Sequence, residues 1–191
     1  MILASNQPYF LPYIGYWQLI AASDVFLIGD DYNFIRHGWI HRNRSFNFGT
    51  PTYFGITLKH ASSFSVINEM EILSLQRDKL MRRMQNEYTH APFREQGLEL
   101  LDRVLDTPER NLNAFLTRSI HIVCDALDIR TPIRHTSELA NRDSFRREYR
   151  IYDYCHRLGA DTYLNPIGGM PVAVSAGTGH SPTGVSVTLP I

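Results

Sequence analysis

Two adjacent carboxylates are the first candidates for chemistry in this sequence. Asp30 and Asp31 directly follow an apolar run at residues 25–28. An aspartate at the end of a buried strand can orient a hydroxyl group or accept a proton. Because successive strand residues point to opposite faces, both carboxylates reach one ligand atom only if the chain has already turned. A solvent-exposed turn or a helix N-cap is the alternative interpretation. Lys59 also follows an apolar run, and we predict Asp30, Asp31 and Lys59 as catalytic residues.

A charge-rich segment lies at residues 36–44, with three arginines and two histidines among its nine residues. Arginine forks bind phosphate or carboxylate, histidine transfers protons near neutral pH, and Trp39 can stack on a base or a sugar. We therefore predict Trp39 and Arg42 as substrate-binding residues, with a solvent-exposed basic face as the alternative. His37 and His41 have the i,i+4 spacing of zinc ligands, but Gly38 disfavours a helix there, and we predict no metal site.

The loop at residues 7–16 contains two prolines, a glycine and three tyrosines. It lies between a predicted strand and a predicted helix, where open α/β sheets bind ligands and a helix N-terminus attracts anions. We predict that Gln7, Tyr9, Tyr13 and Gly15 contribute to a small-molecule site. A rigid, aromatic-packed connection without a ligand is the alternative. A later loop follows another strand, and its glycines, Gly168 and Gly169, would let a ligand approach the backbone.

The elements that position these residues follow from hydrophobic periodicity. Strands are predicted at 2–5 and 25–28 with a helix at 14–23 between them, which makes a βαβ unit with a parallel pair. A hairpin is predicted from 44–46 and 52–58, and further strands at 66–72, 161–164 and 185–189. Helices are predicted at 75–87, 93–105, 111–127 and 145–158, the last with Asp143 or Ser144 as N-cap and Gly159 at C′. The predicted fold class is α/β, with an N-terminal βαβ Rossmann-like or HUP-like parallel sheet and a helical C-terminal half.

Composition narrows the class of protein. The chain has 191 residues, 43% of them hydrophobic, and we expect one domain over 1–191 with a loosely packed tail at 171–191. Lys plus Arg and Asp plus Glu both number 19, and this balance argues against a dedicated nucleic-acid binder. The two cysteines, Cys124 and Cys155, fit reduced core thiols. Without a signal-peptide pattern or a long apolar span, we expect a cytoplasmic protein that does not insert into a membrane.

A family resemblance runs from residue 1 to about residue 170. The chain resembles the WbqC-like family in residues 7–16, in Asp30-Asp31-x-x-Phe34, in Trp39-x-x-Arg42-Asn43-Arg44, in Thr57-Leu58-Lys59, in Ile67-Asn68-Glu69, and in residues 159–163 with Gly168-Gly169. The resemblance implies a bacterial transferase of surface polysaccharide (O-antigen) biosynthesis. The polar positions that it carries over are Gln7, Asp30, Asp31, Arg42, Asn43 and Lys59.

The chain departs from this family pattern at two places. The family usually has a polar residue such as asparagine where His41 stands, which makes His41 a poor candidate for a shared catalyst. After Gly169-Met170 the family continues with a tyrosine and then a phenylalanine, whereas this chain reads Val172 to Gly177. The tail is interpreted as a divergent or frame-altered end, a hypothesis that fails if resequencing and close relatives show the same reading frame.

A weaker resemblance connects the N-terminal loop to the HIGH-type nucleotidyltransferases such as pantothenate synthetase. Their H-x-G-H motif would fall on residues 13–16, where both histidines are replaced by Tyr13 and Tyr16. A tyrosine brings no positive charge at pH 7, so it would stabilise the developing phosphate charge less well. This resemblance bears on the fold and the position of the site more than on the reaction.

The functional expectation is therefore a transferase that acts on an activated small molecule, such as a nucleotide-linked sugar, an acyl or an aminoacyl group. The alternative is a non-catalytic binding or scaffolding protein of the same pathway. The expected partner is a small-molecule substrate, with a phosphate-bearing one among the options, and not a nucleic acid; whether the chain forms a homo-oligomer is left open. The sequence leaves the cofactor unspecified, and it names neither the reaction nor the substrate.

Overall fold

A computed structural model of the protein describes residues 1–47, 49–139, 147–166 and 185–189. Along the chain the elements are β1 (Ile2–Asn6), α1 (Ile14–Ala21), β2 (Val25–Ile28), β3 (Arg42–Asn47), β4 (Thr50–Gly55), β5 (Thr57–Leu58), β6 (Ile72–Ser74), α2 (Arg77–Glu87), α3 (Arg94–Leu105), α4 (Leu112–Ala126), β7 (Ile133–His135), α5 (Arg147–Leu158), β8 (Thr162–Pro166) and β9 (Val185–Leu189), with 3₁₀ helices at Ile67–Glu69 and Thr136–Glu138. None of the helices in these described ranges has the length and apolar character to cross a bilayer.

The chain divides into two compact units, and each is described by itself. The sheet unit comprises Met1–Gln7, Tyr13–Asp31 and Ile129–Ile191. The helical unit comprises Pro8–Pro12 and Tyr32–Asp128. The expectation of a single domain over 1–191 stays a prediction.

A parallel sheet forms the centre of the sheet unit, with strand order β7-β2-β1-β8-β9. Each neighbouring pair is parallel. Strand β2 is a run of four apolar residues that includes β-branched Val25 and Ile28, a composition that favours an extended, buried strand. Phe26, Leu27 and Ile28 have no exposed surface, so β2 is buried on both faces as predicted. The α/β fold with an N-terminal βαβ unit and a helical C-terminal half is confirmed.

Aromatic side chains pack helices against this sheet. The ring of Tyr16 in α1 meets the ring of Phe26 edge-on, with centroids 5.5 Å apart. Tyr154 of α5 and Tyr163 of β8 belong to one core cluster with Leu3 and Leu27. The Tyr163 hydroxyl has a hydrogen-bond partner in the buried Ser5 hydroxyl at 2.7 Å, so its polar end does not destabilise the core.

The helical unit combines the β3–β4 hairpin, the β5–β6 pair and helices α2, α3 and α4. The apolar stripes of these helices close over one core. Phe10 is buried in it, with its ring centroid 6.0 Å from that of Phe54 and 5.9 Å from that of Phe115. Cys124 is free and buried in α4, and burial raises the pKa of its thiol to about 11. Such a thiol remains protonated at neutral pH, as expected for a structural cysteine.

Several element predictions are confirmed closely. Helices α2, α3 and α4 each begin and end within two residues of the predicted positions. Gly159 has a φ of +67°, as the predicted C′ position of α5 requires. Strand β9 coincides with the predicted residues 185–189. The predicted N-caps Asp143 and Ser144, the glycines Gly168 and Gly169, and residues 171–184 of the predicted tail lie outside the described residues.

The predicted strand at 66–72 is wrong. Val66 and Ile67 are adjacent and both are buried, so the segment lacks the alternation of a strand. Residues 67–69 form a 3₁₀ turn, and only Ile72–Ser74 pairs as a strand, with β5. The start of α4 satisfies the backbone of this turn, since Asn111 donates from Nδ2 to the Asn68 carbonyl at 2.7 Å.

The predicted second hairpin strand, 52–58, is divided into β4 and β5. The hairpin register pairs Arg44 with Tyr53 and Ser45 with Thr52. Gly55 ends β4 where two stretches of backbone come close together. A Cβ atom at Gly55 would lie 2.6 Å from the His41 carbonyl oxygen, so the close approach requires glycine.

Candidate functional site

The carboxyl ends of three parallel strands lie side by side in the sheet unit. In register, Asn6 of β1 lies beside Ile28 of β2, and Ile28 lies beside His135 of β7. The chain turns directly after β2, which places Asp30 and Asp31 at this edge. Open α/β sheets bind their ligands at the carboxyl edge, so this is the candidate site.

Asp30 is a buried, ionised carboxylate. It accepts hydrogen bonds from Ser137, at 3.0 Å from the backbone N to Oδ1 and at 2.7 Å from Oγ to Oδ2. Burial raises the pKa of Asp30, but the interactions with His135 and Ser137 outweigh burial and lower the pKa from 3.8 to about 2. A carboxylate with so low a pKa is a weak base at neutral pH. Asp30 is therefore suited to orienting a neighbouring group and not to taking the proton itself.

His135 is the neighbour that Asp30 orients. Its Nδ1 lies 3.2 Å from Asp30 Oδ2, within ion-pair distance but outside hydrogen-bond geometry. The interaction with the Asp30 carboxylate, opposed in part by burial, raises the pKa of His135 from 6.5. Its side chain is 24% exposed. Because Nδ1 faces the carboxylate, Nε2 is the nitrogen that can exchange a proton with a ligand. An imidazole held by a carboxylate is a common arrangement for general-base catalysis.

Asp31 joins the same edge to α5. Its Oδ2 forms an ion pair with Arg150, and Arg150 Nε donates to the Tyr154 hydroxyl at 2.9 Å. The Thr136 hydroxyl lies 2.5 Å from Asp31 Oδ1 and 3.2 Å from Asp30 Oδ1. The chain has thus turned at residue 30, and two consecutive carboxylates converge on one hydroxyl. Both partners of the Asp31–Arg150 pair are nearly buried, so removing either would leave an uncompensated charge.

The N-terminal loop supplies three predicted residues to the sheet unit. The Tyr13 ring is half exposed and lies over the first turn of α1. A Cβ atom at Gly15 would lie 2.6 Å from that ring. Glycine at this position therefore makes room for the Tyr13 side chain. Tyr16 is buried, and its hydroxyl donates to the Gln7 carbonyl at 3.2 Å. Of the two tyrosines in the H-x-G-H positions, Tyr16 is a packing residue.

Two other predicted residues, Tyr9 of that loop and Asn43 of β3, belong to the helical unit. Asn43 donates from Nδ2 to the carbonyl of Phe10 at 3.2 Å and also to that of Leu11. Leu11 has a φ of +49°, an unfavourable conformation for a residue with a side chain. Tyr9 packs against the core of the unit. Asn43 therefore holds a strained turn in place.

The charge-rich segment forms a row of stacked side chains on the hairpin of the helical unit. The Trp39 and Tyr53 rings are stacked with centroids 6.2 Å apart. The guanidinium carbon of Arg42 lies 4.8 Å from the Tyr53 centroid, and that of Arg44 lies 5.5 Å from the Trp39 centroid. Arg42 also donates to the His37 carbonyl at 2.6 Å. Cation–π contacts and backbone hydrogen bonds thus order these predicted substrate-binding residues without a ligand.

Lys59 lies in the helical unit and forms an exposed ion pair. Its Nζ is 2.6 Å from Glu71 Oε2. His41 packs its ring 5.0 Å from that of Phe34, and burial lowers the pKa of His41. Within the described ranges, no group of three or more metal-ligating side chains occurs.

The predicted site residues are thus distributed over both units. Gln7, Tyr13, Gly15, Asp30 and Asp31 belong to the sheet unit, and the structure brings Asp30 and Asp31 together. The other predicted residues that it describes belong to the helical unit: Tyr9, Trp39, Arg42, Asn43 and Lys59.

Sequence reasoning missed the partners of the two aspartates, namely His135, Thr136, Ser137 and Arg150. The signal that was available is a single histidine three residues after Pro132, in the segment Ile133-Arg134-His135. That signal is weak by itself, because only the pairing of β7 with β2 brings His135 to the aspartates.

Comparison with known proteins gives one match. The family model of the WbqC-like protein family matches residues 7–177. No curated protein and no solved structure matches the chain.

Proposed function

The chain belongs to the WbqC-like protein family, and on that premise we propose that it is a transferase for an activated small molecule in the biosynthesis of bacterial surface polysaccharide (O-antigen). The transferred group is the sugar of a nucleotide-linked sugar, an acyl group or an aminoacyl group. His135 Nε2 accepts the proton of the attacking hydroxyl or amine, the acceptor forms its new bond to the activated carbon, and the activating group leaves with the electron pair of the broken bond.

The single observation that supports this proposal is the Asp30–His135 pair at the carboxyl edge of the parallel sheet. Asp30 is ionised throughout the neutral range, since its pKa is about 2. His135 has a raised pKa and a partly exposed ring. A general base works best when its pKa lies near the working pH, and of these two side chains only histidine has an ordinary pKa in that range.

The other residues of this edge take supporting roles in the proposal. Asp31 is a positioning residue, because its ion pair with Arg150 and its contact with the Thr136 hydroxyl hold the turn that presents Asp30. Gln7 and Tyr13 stand at the neighbouring strand end and helix start, and we assign them to substrate binding. Trp39, Arg42 and Lys59 keep their predicted substrate-binding and catalytic roles as separate hypotheses.

A non-catalytic binding or scaffolding protein is the second candidate function. The observation in its favour is that internal partners already engage both carboxylates, Asp30 through Ser137 and Asp31 through Arg150. A structural site of this kind would still bind a ligand at the sheet edge, but it would not turn over.

The test begins with a thermal-shift panel of nucleotide sugars, ATP and acyl-CoA. A ligand that raises the melting temperature is then used in a turnover assay with candidate hydroxyl and amine acceptors. We expect His135→Gln to lower kcat at least tenfold, about 1.4 kcal/mol of barrier, while ligand binding is kept. His156→Gln is the matched control, because His156 is an exposed histidine of α5 in the same unit.

Three outcomes would contradict parts of the proposal. If no panel member shifts the melting temperature, the small-molecule assignment fails. If turnover occurs and His135→Gln leaves it within tenfold of the parent, His135 is not the base. If Lys59→Ala lowers turnover tenfold and His135→Gln does not, the reaction depends on the helical unit instead.

A further inference from the structure

An apolar cavity lies in the helical unit, and neither Asp30, Asp31 nor His135 lines it. Its volume is about 390 Å³. The floor is the buried core surface of α2 and α3, formed by Met84, Leu98, Leu101 and Val104. Small-molecule pockets in proteins have volumes of roughly 300–1,000 Å³ and mostly apolar walls with a few polar groups. The cavity meets both conditions.

The mouth of the cavity exposes aromatic surface to solvent. Phe93 is 75% exposed and Tyr88 is 47% exposed, and both line the opening between α2 and α3. Leaving large apolar side chains contiguous with an open apolar cavity is unfavourable in water. A hydrocarbon occupant would remove both the cavity wall and this rim from water.

One charged residue lines the cavity, and it is a cation. Arg94 begins α3 beside Phe93, and its side chain is 29% exposed. Its ionic partner is Glu95, the next residue, which is 80% exposed and therefore readily exchanged for another anion. A ligand that matches this site has a single anionic group at the rim and an uncharged chain in the interior.

Cavity size sets the length of that chain. An apolar cavity of roughly 150 Å³ holds one benzene molecule, six carbon atoms. In the same proportion, this cavity accommodates roughly 15 non-hydrogen atoms. A straight-chain carboxylate of 12 to 14 carbons has about that size.

We propose that the cavity between α2 and α3 binds the hydrocarbon chain of an aliphatic carboxylate and that Arg94 binds the carboxylate group. This site lies within the helical unit and does not depend on the proposed transferase activity. A free fatty acid supplies the anion as its carboxylate, whereas an acyl chain on a carrier has no carboxylate and supplies a linker phosphate in its place.

Gly97 provides a substitution that blocks the cavity while favouring the fold. It lies in α3 and lines the cavity, and a Cβ atom built on it meets nothing within 4 Å. A side chain at this position therefore projects into open space. Replacing glycine in a helix also raises helix propensity, so a loss of binding cannot be attributed to unfolding.

The experiment measures binding of octanoate, decanoate, dodecanoate and tetradecanoate to the full chain by calorimetry, below their micellar concentrations. We expect one saturable site per chain, with affinity rising about fourfold per added methylene until the cavity is filled. Gly97→Trp should abolish binding, and Gly97→Ala should keep it. Arg94→Gln should weaken dodecanoate binding at least fivefold and leave dodecanol binding unchanged. Dodecanoyl-CoA serves as the carrier-linked arm, and tighter binding of it than of dodecanoate identifies the carrier-linked source.

Several results would overturn the proposal. One is the absence of saturable binding by every acid and by dodecanoyl-CoA. Another is affinity that does not change with Gly97→Trp. A third is concentration-dependent dimerisation that Gly97→Trp disrupts, because the occupant would then be a second copy of the chain. Binding to phosphatidylglycerol vesicles without binding of monomeric dodecanoate would identify a membrane surface as the partner instead. Failure of the transferase assay has no bearing on these outcomes.

Discussion

Replacing Asp30 by asparagine removes the charge of the candidate site while keeping its size and part of its hydrogen bonding. Asp30 has a pKa of about 2 in the folded protein, against 3.8 as its ordinary value. The difference, 3.8 minus about 2, corresponds to about 2.5 kcal/mol of folding stability at neutral pH, because a pKa difference of one is worth about 1.4 kcal/mol. Solvent screening reduces this stability contribution only slightly, since the Asp30 side chain is only 4% exposed.

The contribution of the Asp30–His135 pair to stability should decrease both at low pH and at high pH. The pKa of Asp30 is lowered by folding, so its contribution is present above pH 4 and is lost as the pH falls through 2. About half of it should be gone at pH 3. The pKa of His135 is raised by folding, so its share is present below 6.5 and is lost as the pH rises through the folded pKa. The stability difference between parent and Asp30→Asn should therefore be largest between pH 4 and 6.5 and fall on both sides.

The assay is urea unfolding at intervals from pH 3 to pH 9, with tryptophan fluorescence as the measured signal. The chain has two tryptophans, and a Trp39→Phe background leaves Trp17 of α1 as the reporter of the sheet unit. Asp153→Asn is the control, because it removes a carboxylate from the Asp153–Arg157 ion pair of α5. Arg157 is about half exposed, so this substitution should cost less than about 1 kcal/mol of stability. A difference that stays flat from pH 3 to pH 9, or that is largest at pH 9, would refute the charge-pair interpretation.

Three further substitutions test the packing of the helical unit. Asn43→Ala should cost about 1–3 kcal/mol in urea unfolding, because the strained turn at Leu11 loses the donor to its carbonyl; a cost below about 0.5 kcal/mol would contradict this. Gln76 is exposed and has a φ of +48°, which is unfavourable for a residue with a side chain. Gln76→Gly should therefore stabilise the fold by up to about 1 kcal/mol and raise the melting temperature. A lower melting temperature would show that the left-handed conformation is not costly. Arg83 donates to the carbonyls of Thr52 and Tyr53, at 2.9 and 2.8 Å, so Arg83→Lys should speed amide exchange in the hairpin, and unchanged exchange would show that the guanidinium fork is dispensable.

The parts of the fold that the sequence predicts are those whose cause is local. Strand β2 is a continuous apolar run between turn residues, and α4 carries its apolar residues at helical spacing. Neither depends on a distant partner for its identity. The predicted strand at 66–72 failed because its backbone is satisfied by Asn111, far along the chain. No local pattern of residue types carries that information.

The residues of the candidate site also include some that local sequence predicts and some that it does not. Asp30 and Asp31 were predicted at the sheet edge, because strand β2 ends just before them. Their partners could not be predicted, because Thr136 and Arg150 lie more than 100 residues further along the chain, Thr136 directly after β7 and Arg150 on α5. His135 changes the proposed assignment of roles, since in the proposed reaction it takes the proton that was first assigned to the aspartates.

An NMR titration of His135 examines the Asp30–His135 pair itself, because it requires neither a substrate nor an assigned reaction. The ring Cε1–H resonance is followed with pH in the parent and in Asp30→Asn, with His135→Gln used to assign it. We expect a pKa for His135 above its ordinary 6.5 in the parent and a lower pKa in Asp30→Asn, because the carboxylate that raises it is gone. A pKa at or below 6.5 in the parent, or one that Asp30→Asn does not change, would contradict the Asp30–His135 pair as the proton-handling centre of this protein.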